Sequence, residues 1–148
     1  MKIILVTLIQ APIETCFDLS RSIDLHVESM KQSNEKAIDG TTTGLINLHE
    51  TVTWKAKHFG VNFKMKIKIT EMNSPLSFTD EMMTGPFQLL KHQHKFKSIG
   101  LETEMTDIFE FKALMGFLGR LAEKLFLGNY MTKLLIERNR VIKKAAES

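Results

Sequence analysis

The sequence predicts an α+β fold, a curved antiparallel sheet closed around one long C-terminal helix. Two patterns carry that expectation. From residue 48, polar and apolar residues alternate for over sixty residues, the period-two signature of half-buried strands. From about residue 113 to 146, apolar residues instead recur at three- and four-residue steps, the signature of an amphipathic helix. A third observation orders the parts: a short β-branched strand at the N-terminus is followed at once by mixed helical spacing.

Residues 2 to 10 are β-branched and apolar and form the first strand. Its apolar run resembles a signal peptide only superficially. Pro12 and Glu14 follow at once, and no small-residue cleavage site is present. Ile13, Phe17, Leu19, Ile23 and Leu25 then predict one or two short helices, with Pro12 in a first turn and a break near Ser20 to Ser22. The stretch "MKQSNEKAI" reads as a short edge strand, and "DGTTTG", residues 39 to 44, as a loop.

The alternating region divides into five strands joined by short turns, a meander. "ETVTWKAKHF" sets Val52, Trp54, Ala56 and His58 on one face. "VNFKMKIKI" sets Val61, Phe63, Met65, Ile67 and Ile69 inward against Lys64, Lys66 and Lys68. "PLSFTDEMM" aligns Leu76, Phe78, Asp80 and Met82. "LLKHQHKFKS" sets Leu90, His92, His94 and Phe96 inward, because its lysines must face water. "LETEMTDIFEF" aligns Thr103, Met105, Asp107, Phe109 and Phe111. The terminal helix is expected to cover this face with Leu114, Phe117, Leu118, Leu121, Leu125, Leu135 and Ile142. Gly116, Gly119 and Gly128 weaken its propensity and suit close approach to the sheet.

The bulk composition excludes several classes. A chain of 148 residues, 43% hydrophobic and 25% charged, fits one globular domain over residues 1–148. A net charge of +3 with dispersed lysines gives no nucleic-acid footprint. No apolar run reaches the roughly 18 residues of a bilayer span, so no stable membrane insertion is expected. One cysteine, Cys16, leaves no intrachain disulfide and suits a reducing, cytoplasmic setting. Beside Phe17 it reads as small core filler rather than a nucleophile.

The inferred inner face is not all apolar. A symmetric hairpin near Gly85 and Pro86 brings Asp80 beside His92. A turn near Ile99 and Gly100 sets Met105 opposite His94 and Asp107 opposite His92, where facing side chains lie about 5 Å apart. Four readings stay open. The groups form a buried polar network that fixes register, or the polar end of a ligand pocket among Trp54, Phe63, Phe78, Met82, Met105 and Phe109. His-x-His with carboxylates could also ligate zinc or iron, and a His92–Asp107 pair could act as acid and base beside a substrate. The reading adopted is a pocket that also includes His58, Met65 and His94, with no cofactor and no metal. His92 and Asp107 are then the candidate catalytic pair.

Five segments carry a resemblance: "IQAPIETCFDL", "VTWKAKHFGV", "FTDEMMTGPFQLLKHQHKF", "ETEMTDIFEF" and "LMGFLGRLAEKL". Together they resemble the SRPBCC superfamily, also called START-like or Bet v 1-like. Within it they resemble the bacterial branch described as polyketide cyclase/dehydrase-like or cell-division-inhibitor-like. The resemblance covers nearly the whole chain. It implies a helix-grip fold in β–αα–β6–α order, with a curved seven-stranded sheet and a hydrophobic cavity under the C-terminal helix. "MKQSNEKAI" and "TGLINLHE" are then strand-like. The positions Trp54, His58, Asp80, Gly85–Pro86–Phe87, His92, His94 and Asp107 look like part of the branch's motif. The aromatic segment of the ubiquinone-binding branch and the metal motifs of the ring-hydroxylating members are missing.

The expected function is a small binding protein, monomeric or homodimeric, for a hydrophobic small molecule or lipid. The rival is a cyclase- or hydrolase-type enzyme working through the same cavity. The lysine-rich outer sheet face is read as a solvated surface.

Overall fold

Alternation from residue 51 onward becomes five consecutive antiparallel strands, and two more complete the sheet. The computed structural model describes residues 1–148. The strands are β1 (Lys2–Ile9), β2 (Lys36–Gly40), β3 (Thr51–His58), β4 (Val61–Asn73), β5 (Ser77–Thr84), β6 (Phe87–Ile99) and β7 (Glu102–Ala113). They lie in the order β1-β7-β6-β5-β4-β3-β2, all antiparallel. Helices α1 (Ile13–Ser20) and α2 (Ile23–Ser29) connect the two edge strands β1 and β2. The chain ends in α3 (Gly116–Ala122), a π turn (Glu123–Leu127) and α4 (Gly128–Glu147). This is the seven-stranded helix-grip architecture. No helix is long and apolar enough to cross a membrane.

The expected faces hold where they matter most. Leu90, His92, His94 and Phe96 of β6 are buried, as are Thr103, Met105, Asp107, Phe109 and Phe111 of β7. Lys95 and Lys97 are exposed on the other side. Phe17 of α1 packs edge-on against Phe78 and Phe96, with ring centroids 5.5 Å away in both cases. Beside it Cys16 is fully buried, and burial pushes its thiol pKa up. That is the setting of an inert core thiol. The helix break falls where expected, with Ser22 Oγ capping α2 by accepting from the Leu25 N–H at 3.2 Å.

Five expectations need correction. "TGLINLHE" is not a strand. Leu45 makes a single bridge to Ser22, and Ile46 is anchored instead by its backbone bonds to Arg21. β2 starts at Lys36 rather than near Met30, after a tight turn over Lys31–Ser33, and it takes in Asp39 and Gly40. Val61 is exposed because it closes the hairpin tip opposite His58, and Leu76 is exposed because it precedes β5. The β6–β7 register differs by two residues: His94 faces Asp107, His92 faces Phe109 and Phe96 faces Met105. Gly100, at φ 61, and Leu101 form the two-residue turn that sets this register.

The fifth correction concerns the terminal helix. It is not one continuous rod, and its first half does not cover the sheet. Leu135 and Ile142 are buried as expected, whereas Leu114, Phe117, Leu118, Leu121 and Leu125 are exposed. The physical reason is twofold. The π turn breaks the helical phase between the two stripes, and α3 packs mainly on the end of β7, with no sheet beneath its apolar face. Gly119 is required at that contact, since a Cβ there would sit 2.0 Å from the Leu114 carbonyl oxygen.

Candidate functional site

Between the inner face of the sheet and α4 lies a cavity of about 390 Å³, within the usual range for small-molecule sites. Trp54, Ala56, Phe63 and Met65 from β3 and β4 line it with Leu90 and Phe109 from β6 and β7. Leu127, Met131, Leu134 and Leu135 close it from the helix side. The indole of Trp54 is held by the ring of His26, with centroids 4.3 Å apart. His26 Nε2 is in turn 2.7 Å from Glu35 Oε1.

One side of the cavity is polar, and its geometry is specified by hydrogen bonds. His92 Nε2 lies 2.7 Å from Asp107 Oδ1, and His94 Nε2 lies 2.7 Å from Asp80 Oδ2. Asn139 Nδ2 donates to Asp107 Oδ2 at 2.7 Å. Arg138 Nη1 donates to Asn139 Oδ1 at 2.9 Å and faces Asp107 Oδ1 at 3.5 Å. Arg138 Nη2 donates to the Ser20 carbonyl at 3.1 Å and approaches His94 Nδ1 at 3.4 Å. A guanidinium has only donors, so His94 Nδ1 accepts and His94 Nε2 carries the proton donated to Asp80.

The electrostatics follow from these contacts. Burial, then the neighbouring His92, lowers the His94 pKa to about 4, so its ring is neutral at pH 7. Burial alone would raise the Asp107 carboxyl; the His92 hydrogen bond and the Arg138 charge outweigh it and hold Asp107 well below the ordinary carboxylate range. Burial opposes ionisation of Asp80 as well, and the His94 hydrogen bond again prevails, holding it below its ordinary value. His92 lines the cavity. Its Nδ1 has no protein partner and is not sealed off, so it is the polar atom this ring offers to an occupant.

At the opposite end His58 Nδ1 hydrogen-bonds the Tyr130 hydroxyl, tying the end of β3 to α4. Burial lowers the His58 pKa and raises that of Tyr130. Phe59, in the hairpin turn beyond His58, packs on Tyr130 and Phe126, with centroids 4.6 and 6.1 Å away.

Of the residues singled out in the sequence, the structure places Trp54, His58, Phe63, Met65, Asp80, His92, His94 and Phe109 on the cavity wall. Phe78, Met82, Met105 and Asp107 do not line it. Phe78 stacks under His94 at 4.0 Å, Met105 is sealed in the core, and Asp107 lies behind His92. Sequence reasoning missed Arg138 and Asn139, and it missed Tyr130. A signal for the first two existed: Leu135, Arg138, Asn139 and Ile142 share one helical stripe, so a polar pair interrupts the buried apolar face.

Two chemistries can be tested against this arrangement. Asp80, His92 and His94 offer ligand atoms all within 4.8 Å of one another. However, both nitrogens of His94 are engaged, and the Arg138 guanidinium faces the same ring, so a cation would have to break this network and meet a like charge. The His92–Asp107 pair has the geometry of an oriented imidazole base. The hydroxyls of Ser20 and Ser22 on the cavity wall are turned to other duties, toward the Cys16 carbonyl and the Leu25 N–H.

No protein-family model matches the sequence, and no curated protein does so either. Solved structures do show its fold. TTHA0849 from Thermus thermophilus is 15% identical with a TM-score of 0.80, and the match covers 100% of both chains. The ginseng major latex-like protein 151 from Panax ginseng is 16% identical with a TM-score of 0.72, covering 100% of this chain and 98% of that one. A START superfamily protein from Mycobacterium smegmatis is 9% identical with a TM-score of 0.73, covering 99% and 97%. The chain has the SRPBCC-type fold, the fold its sequence resemblance implied. At these identities the likeness is one of fold.

Proposed function

We propose that this protein binds an apolar or amphipathic small molecule, a lipid or an aromatic, polyketide-like compound, in the cavity between the sheet and α4. The observation that carries this reading is the cavity itself: about 390 Å³, with an apolar wall and one convergent polar side. Trp54, Phe63, Met65 and Phe109 supply the apolar contact, and His92 Nδ1 with Asp80 receives the polar end. Met65 and Met131 let the wall adapt to the shape of the occupant. The protein acts as a monomer or homodimer in this reading. Native mass spectrometry of the freshly purified protein tests it. A mass of a few hundred daltons that disappears on denaturation identifies the occupant; the bare chain mass, together with failure to take up any apolar probe, contradicts the reading.

A second reading is favoured by one specific contact. The 2.7 Å His92–Asp107 hydrogen bond orients an imidazole that lines the cavity and leaves its Nδ1 without a protein partner, which is how a general base is held. In a cyclase- or hydrolase-type reaction His92 would take a proton from the bound molecule. Conversion of a co-purified compound by the wild-type protein but not by His92→Leu tests that reading.

A further inference from the structure

Apolar side chains of α3, of Met115 before it and of the π turn after it are exposed. Met115, Phe117 and Leu125 are 75%, 71% and 64% exposed, and Leu118, Leu121 and Phe126 are exposed beside them. A contiguous exposed apolar face of this kind marks an interaction surface. Phe59, 63% exposed, extends it from the β3–β4 turn. Both Phe59 and Phe126 also line the cavity, so the exposed face runs directly into the cavity mouth.

The charge of this segment identifies its partner. Between residues 112 and 133 the chain carries Lys112, Arg120, Lys124 and Lys133 against one acid, Glu123. All four cations are exposed. Glu123 is buried and its carboxylate accepts the Ala113 N–H at 2.9 Å. The segment's net +3 equals the formal net charge of the whole chain, and the other residues balance to zero. An exposed helix with Phe and Leu on one side and Lys and Arg flanking it is the composition that lies in the plane of an anionic bilayer. A second copy of the chain fits less well, because a two-fold contact would set two faces of +3 against each other.

We propose that α3, the π turn and Phe59 form a peripheral docking surface for an anionic lipid membrane, which sets the cavity mouth against the bilayer. The proposal rests on the exposed face and its charge and stands whether or not the cavity proves to hold a ligand. The aromatic and leucine side chains enter the headgroup region, while Arg120 and Lys124 meet the lipid phosphates.

Co-sedimentation of the full chain with phosphatidylcholine vesicles, with and without phosphatidylserine, tests it. The wild type is expected to bind the phosphatidylserine vesicles at least about tenfold more tightly, and high salt should release it. The pairs Phe117→Glu/Leu125→Glu and Arg120→Ala/Lys124→Ala should each reduce binding by about tenfold or more. All four side chains are exposed, so circular dichroism should show an unchanged fold. Absence of binding, equal binding to both vesicle types, or variants that bind like the wild type overturns the proposal. So does a concentration-dependent dimer that Phe117→Glu abolishes in a protein that ignores vesicles, since a second copy would then occupy this face.

Discussion

The rings of His92 and His94 stack with centroids 3.7 Å apart and turn their Nε2 atoms toward different carboxylates, Asp107 and Asp80. This is why two imidazoles are found inside a small protein. Asp107 is buried and Asp80 half-buried; each carboxylate needs a donor, and alternate residues of one strand supply both on the same face. Arg138 then balances charge from the helix above.

That arrangement makes stability sensitive to acid. The folded-state pKa of His94 is lowered from 6.5 to about 4, so the unfolded chain takes up a proton that the fold refuses. Its contribution is complete above 6.5 and is lost as pH falls toward 4. Asp80 and Asp107, held below 3.8, act in the same direction at lower pH: their contribution is present above 3.8 and disappears as pH falls through their folded values. Urea midpoints should therefore fall steadily below pH 6.5. A flat midpoint through that window would contradict the assigned protonation.

Asp107→Asn should be strongly destabilising. The substitution removes the carboxylate in contact with the buried Arg138 guanidinium and leaves it the more distant Asp80 charge, and breaking a buried pair in this way costs about 3–5 kcal/mol. Equilibrium urea unfolding measures it. A loss near 1 kcal/mol would mean that solvent reaches the cluster.

His92→Leu separates the role of the polar end from that of the cavity. Removing Nδ1 should weaken ligands with a hydrogen-bonding end by about 1 kcal/mol, while a wholly apolar probe binds almost as before. Calorimetric titration of such a pair of ligands gives the difference directly. An equal loss for both would show that His92 supports the wall rather than the head.

The sheet was legible because alternation in β3, β6 and β7 is strict, and lysines on one face force the other inward. The neighbourhood of Asp80, His92, His94 and Asp107 was legible for the same reason: strand parity survives a register error of two residues, which is what the Gly100–Leu101 turn introduced. Helical periodicity, by contrast, says which residues share a face but not where that face looks. Leu114 precedes α3, Leu125 lies in the π turn, and Phe117, Leu118 and Leu121 of α3 are exposed. Arg138 and Asn139 were missed because a polar residue on a helix is normally assigned to solvent, and only the buried carboxylate beneath them reverses that.

Trp54 gives the most direct test of the central claim. It is the one tryptophan, it is buried, and it stands on the cavity wall. An apolar fluorescent probe titrated into the protein should bind saturably at one site per chain and change the Trp54 emission as it does so. Ala56→Phe fills the adjacent wall position and should weaken this binding by at least about tenfold while the fold is retained. No saturable change at Trp54, or equal binding by Ala56→Phe, would contradict the assignment of this cavity as the binding site.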